Sequence, residues 1–176
     1  MPNVIVTRNT YPDIRSLQYV IGYALRSAMR GGYGVSSDPQ WAFDEMYFVK
    51  RVFYQTDALQ LKHFIISYAH EEAMFIDFDE MLRTAFEAAQ LFKEYQIVYG
   101  LHLDASHVHL HMVMNTTSFK DGHQYSDGLS GIMKVCSMLK KKYPQYPVNL
   151  CQSRYFTYDA PYTEADRGKD QVLKSL

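Results

Sequence analysis

The chain has 176 residues, 47% of them hydrophobic, which suits one domain, residues 1–176, built around a single core. A net charge of −1 excludes a global basic field, so any polyanion must be met by local patches. Two cysteines, Cys136 and Cys151, make no disulfide framework. They point to a reducing compartment. With no signal peptide and no apolar run long enough to span a bilayer, the sequence reads as cytoplasmic, with no membrane insertion.

Asn3 to Thr7 is a short β-branched run, expected as a buried strand. After a turn at Asn9 to Pro12, Leu17, Val20, Ile21, Ala24 and Leu25 recur at helical spacing, with Asp13 or Ser16 as the cap. Tyr19 and Tyr23 lie one turn apart on this helix and project away from its apolar stripe. Gly31 to Gly34, followed by Ser36-Ser37-Asp38-Pro39, reads as a loop. Residues 40–54 suit a helix, with Lys50 and Arg51 exposed. Leu61 to Tyr68 is expected as a central strand. Glu80 stands three residues after Asp77, a capping box, and the helix it opens reaches about Tyr95. Gln96 to Leu103 is a further strand. Lys120-Asp121-Gly122 marks a turn, Leu129 to Tyr143 a last helix, and the tail beyond Asp159 is polar and loosely held. This order predicts an α+β fold, a central antiparallel sheet of about five strands flanked by helices.

The stretch that carries chemistry runs from His102 to Asn115. Four of the seven histidines fall within His102–His111. Val108, Leu110, Met112 and Met114 alternate with His107, His109 and His111, the period of a half-buried strand, so the three imidazoles share one face. Alternate residues on a strand stand roughly 6.5–7 Å apart, close enough for leaning imidazoles to reach one ion. His102 ends the preceding strand, and a hairpin through Asp104-Ala105-Ser106 would bring it to the same place. Three imidazoles with a nearby carboxylate, Asp104, read as a metal site whose open positions accept an anionic substrate such as a phosphodiester. The nucleophile is water or a tyrosine, and the helix of Tyr19 and Tyr23 supplies the second. A phenol with a pKa near 10 needs a metal ion or a base such as His107 or Asp104.

His102-Leu-Asp104-Ala-Ser-His107-Val-His109-Leu-His111-Met-Val-Met-Asn115 resembles the third motif of conjugative relaxases, the mobilisation nucleases of the HUH endonuclease superfamily (MOBP-like). Ser16 to Leu25 resembles the first motif and aligns its tyrosine with Tyr23. His63-Phe-Ile-Ile-Ser67-Tyr resembles the second, whose serine contacts DNA. The resemblance spans roughly residues 13–125.

It implies a relaxase catalytic domain in a bacterial cytoplasm. Tyr23 would attack a phosphodiester of single-stranded DNA at an origin of transfer, leaving a 5′-phosphotyrosyl protein and a free 3′-OH. His102, His109 and His111 would hold a divalent metal. Magnesium or manganese is the family's usual ion, while imidazoles on affinity alone favour zinc or nickel. Asp104 and His107 would assist the phenol, and Ser67, Asn115, Arg26 and Arg30 would contact DNA. Lys50, Arg51 and Lys140 to Lys142 would gather beside Arg26 and Arg30 on the substrate face. Accessory relaxosome proteins and a coupling protein are the implied partners.

Two other readings compete. His107-Val-His109-Leu-His111-Met-Val also resembles the histidine-triad motif of nucleotide hydrolases and transferases, in which the middle histidine is the nucleophile and no metal is needed. A non-catalytic DNA-binding descendant of the relaxase fold is the third.

Overall fold

The computed structural model describes residues 2–7, 11–103 and 107–153. Asp104 and the tail therefore lie outside the described residues. Six strands, β1 (Asn3–Thr7), β2 (Arg30–Tyr33), β3 (Leu61–Ala69), β4 (Ile97–Leu103), β5 (His107–Asn115) and β6 (Asn149–Ser153), form one sheet in the order β2-β4-β5-β3-β1-β6. Every neighbouring pair is antiparallel except β1 and β6, which run parallel. The helices are α1 (Ile14–Ala24), α2 (Pro39–Val52), α3 (His70–Ala73), α4 (Phe78–Gln90) and α5 (Ser130–Lys142). The fold is α+β, with a mostly antiparallel sheet between two layers of helices.

Several elements differ from the sequence expectation. The glycine run expected as a loop contains β2, an edge strand. A side chain on Gly31 would collide with the Tyr99 ring, and one on Gly32 with the carbonyl of Val35, so only glycine lets this strand lie against β4. The sixth strand, β6, is short and follows Pro147, and its sequence lacks the β-branched run that marked β1. Helix α4 also stops at Gln90, before the expected Tyr95, where Leu91 caps it.

Period two divides the sheet. Val108, Leu110, Met112 and Met114 point to one face with Phe64, Ile66 and Leu101, and pack there against Met81, Ala85 and Ala88 of α4 and Ile132, Val135 and Leu139 of α5. The opposite face carries His107, His109, His111 and Val113. Over its lower half, Val113, Val98 and Leu61 are buried beneath Leu17, Val20, Ile21 and Ala24 of α1 and Ala42 and Met46 of α2. This burial fixes the register, because a one-residue slip would turn the histidines into the other core. Asp13 caps α1 by accepting from the Ser16 amide at 2.8 Å, a contact of the kind that adds about 1 kcal/mol. Among the described residues no helix is long and apolar enough to cross a membrane.

Candidate active site

The sheet register assembles the histidines. His102 on β4 lies directly opposite His109 on β5; Ser67 on β3 lies opposite His109 from the other side. His111 sits between Ile65 and Gly100. Opposed residues share a face, so His102, His109, His111, Ser67 and His63 all look out on the side covered by α1.

Gly100 then determines how α1 approaches. Any Cβ at Gly100 would fall within contact radius of the Ala24 carbonyl oxygen, so the helix backbone rests directly on the strand. The same carbonyl accepts a hydrogen bond from His102 Nε2 at 3.0 Å. One residue earlier, Tyr23 turns inward. Its ring centroid lies 5.0 Å from those of both His102 and His111, in edge-on contact with each. Arg26, just past the end of α1, places its guanidinium 4.5 Å from the Tyr23 ring centroid. Tyr19, one turn back, is 40% exposed.

The histidine rings are closely set. His102 and His111 are 4.5 Å apart, His109 and His111 6.2 Å, and His107 and His109 5.7 Å. His111 is buried, and burial holds its imidazole well below the ordinary pKa, with the neighbouring His63, His102, His109 and Arg26 adding to the effect. It is neutral at physiological pH, the state a metal ligand requires.

Residues 23–144 match the protein family described as "Relaxase: MobA/VirD2-like, nuclease domain". The chain belongs to the relaxase family. No curated protein and no solved structure matches it. DNA nicking is thus the class of reaction this relaxase has to accommodate, and its family generally depends on a divalent metal and binds single-stranded DNA.

The donor set suits such an ion. Three imidazoles sharing one ion at metal–nitrogen distances of about 2.1 Å place their centroids roughly 4.5–5.5 Å apart. His102 and His111 already meet that spacing. His109, half-buried on the same face, has to swing inward to join them. A second group, Glu94, Asp121 and His123, has donor atoms within 4.8 Å of one another. It lies past the opposite end of β5, and its atoms already serve other bonds. Lys120 Nζ is 3.1 Å from Glu94, Tyr95 Oη is 2.6 Å from His123 Nε2, and Asp121 binds His123 Nδ1.

The remaining predicted site residues are dispersed. His107 is exposed at the open end of β5, with its ring nearest that of His109. Ser67 is buried within the histidine face. Arg30, expected at DNA, is half-buried, and its Nη1 donates to the Leu25 carbonyl at 2.6 Å at the end of α1. Asn115, also expected at DNA, is fully buried below Val113. Its Nδ2 donates to Met46 O at 3.1 Å and Gln96 Oε1 at 3.0 Å, and its Oδ1 accepts from the Thr117 amide. That side chain holds α2 to the sheet and has no surface to offer a strand of DNA. Lys50, expected as exposed, is fully buried. Lys140 to Lys142 sit at the end of α5, on the opposite side of the sheet from the histidines, where Lys142 pairs with Glu80 and Glu87 at 2.8 Å. Among the described residues, Arg26 is the basic side chain seen against the Tyr23 ring.

Sequence reasoning attached no role to His63 or Tyr11. The signal for His63 was available: it is two and four residues before Ile65 and Ser67, so it shares their face. For Tyr11 nothing in the sequence pointed inward.

Proposed function

We propose that this relaxase nicks and rejoins single-stranded DNA at an origin of transfer, with Tyr23 as the nucleophile. The reading is carried by one observation: the Tyr23 ring lies against both His102 and His111, with the Arg26 guanidinium over it. The Tyr23 oxygen attacks phosphorus as the bond to the 3′ oxygen breaks. The phenol proton passes to a base, for which His107 and Asp104 are the candidates, and the departing 3′ oxygen takes up a proton to leave as a hydroxyl. One phosphodiester is exchanged for another, so the step reverses readily and permits rejoining. A divalent cation held by His102, His109 and His111 would supply charge neutralisation at the scissile phosphate, magnesium or manganese being the ions expected in cells. Arg26 adds a fixed positive charge where phenolate and phosphate meet. Ser67, opposite His109, would meet the DNA strand beside the phosphate. Accessory relaxosome proteins and a coupling protein would deliver that strand.

The test is incubation of the protein with a pool of single-stranded oligonucleotides and manganese, followed by denaturing electrophoresis. An acid-stable protein–DNA adduct is expected, as for phosphotyrosine. An acid-labile adduct would transfer the chemistry to a histidine and favour the histidine-triad reading. Metal binding with no adduct from any sequence would favour a non-catalytic DNA-binding descendant.

A further inference from the structure

Beneath the histidine cluster runs a buried chain of polar side chains that the proposed reaction does not use. His63 Nε2 lies 3.0 Å from His111 Nδ1. On its other side, His63 Nδ1 is 3.5 Å from Tyr11 Oη, and Tyr11 Oη is 3.1 Å from Thr7 Oγ1. Thr7 Oγ1 also donates to the His63 carbonyl at 3.0 Å. All four residues are buried, with Tyr11 and His63 at 1% exposure.

The chain has a direction, and the carbonyl at its end sets it. A carbonyl only accepts, so the single hydroxyl proton of Thr7 goes to His63 O. Thr7 Oγ1 must then accept from the Tyr11 hydroxyl. Tyr11, its proton spent, faces His63 Nδ1 as an acceptor, which requires the proton of His63 on Nδ1. His63 is 1% exposed and stacked against another imidazole, a setting that disfavours a second proton on the ring, so with its proton on Nδ1 its Nε2 carries none. That nitrogen can only accept, and the proton of the contact belongs to His111 Nδ1. An imidazole that binds a cation carries one proton only, so with that proton on Nδ1 the lone pair of His111 is on Nε2. The alternative direction would break the bond from Thr7 to the carbonyl.

We propose that His63, backed by Tyr11 and Thr7, is a positioning residue that locks His111 in the Nδ1–H tautomer, so that His111 Nε2 is the nitrogen presented to a divalent cation. The inference rests on the relaxase reading for the identity of the cation site and adds to it the residues that prepare one ligand. The juxtaposition parallels His102, whose Nε2 donates to Ala24 O, so that Nδ1 would be the nitrogen to meet the cation. Partners of this kind fix which nitrogen coordinates and raise its basicity; their loss typically weakens metal binding 10–100-fold.

The test begins without metal or DNA. Long-range proton–nitrogen correlation spectra of histidine-labelled wild-type protein should show His111 with its proton on Nδ1, and His63 likewise. Titration calorimetry with manganese then compares variants. His63→Leu, which cannot accept from His111 Nδ1, should bind manganese at least tenfold more weakly. His63→Gln, whose side-chain oxygen can take the place of Nε2, should return affinity to within a few-fold of wild type. Finding His111 protonated on Nε2 in the wild-type protein overturns the inference, even if His63→Leu does not fold. So does unchanged manganese affinity in a folded His63→Leu. A protein with the stated tautomer and affinities that forms no DNA adduct sustains this inference and fails the nicking reading. Adduct formation with His111 protonated on Nε2 fails this inference alone.

Discussion

Gly100 and Ala24 are in contact through their backbones, strand against helix end, with no room for a side chain between them. The contact places Tyr23 over His102 and His111, and it fixes the Ala24 carbonyl where His102 Nε2 donates to it. Gly100→Ala should push the end of α1 off the sheet. Overpacking of this sort costs about 1–3 kcal/mol. DNA adduct formation should fall by at least tenfold, because the phenol moves with the helix, while the Nδ1–H tautomer of His111 remains, since His63 stands on the other side. Denaturant unfolding and the adduct assay measure the two effects separately.

Arg26 is the one cation seen against the Tyr23 ring among the described residues. Its worth as a cation over a partly exposed ring is only about 0.5–1 kcal/mol of stability, so Arg26→Ala should fold normally. Its effect on a developing phenolate and a phosphate is larger, and the rate of adduct formation should drop about 10–100-fold. Arg26→Lys should recover part of the loss, because the charge remains but the planar fork does not. Equal rates for all three proteins would remove Arg26 from the site.

Lys50 gives the protein a measurable dependence on pH. Fully buried, it donates to the hydroxyls of Thr117 at 3.1 Å and Thr116 at 3.4 Å, and burial lowers its amine from 10.5 to about 7. The unfolded chain holds this proton up to about pH 10.5. Between about pH 7 and 10.5 the unfolded state therefore binds more protons, and stability rises with pH. Below about pH 7 the amine is charged in both states, and the full cost, of order 5 kcal/mol, is present. Lys50→Met should be more stable than wild type at pH 7, and its advantage should shrink at pH 8 and again at pH 9. Both threonine hydroxyls keep other partners, Leu59 O and Gln124 Nε2. Urea midpoints at the three pH values decide; a constant difference would contradict the assignment.

The parts of this molecule that obey a period were readable before any fold was known. The alternation from His107 to Met114 set both the strand and the face of its histidines. The spacing of Leu17, Val20, Ile21 and Ala24 set which side of α1 is buried. The parts that depend on a single contact across the fold were not readable. Gly31 and Gly32 look like a loop until Tyr99 and Val35 are seen to require their missing side chains. Lys50 sits on a helix beside Arg51 and looks equally solvated, yet helical rotation carries it to the buried face with Met46. Asn115 carries a group that suits DNA, but the Met46 carbonyl and Gln96 claim it. His63 lay in plain view within a motif, and only its 3.0 Å approach to His111 gives it work to do.

The central claim is that Tyr23 is the nucleophile, and mass spectrometry of the digested protein–DNA adduct tests it most directly. With manganese and single-stranded DNA, the nucleotide should be found on the peptide containing Tyr23, and fragmentation should place it on that residue. Tyr23→Phe should abolish the adduct and keep its manganese affinity, while Tyr19→Phe should keep both. A nucleotide found on Tyr19 or on a histidine, or an adduct that survives in Tyr23→Phe, would contradict the account.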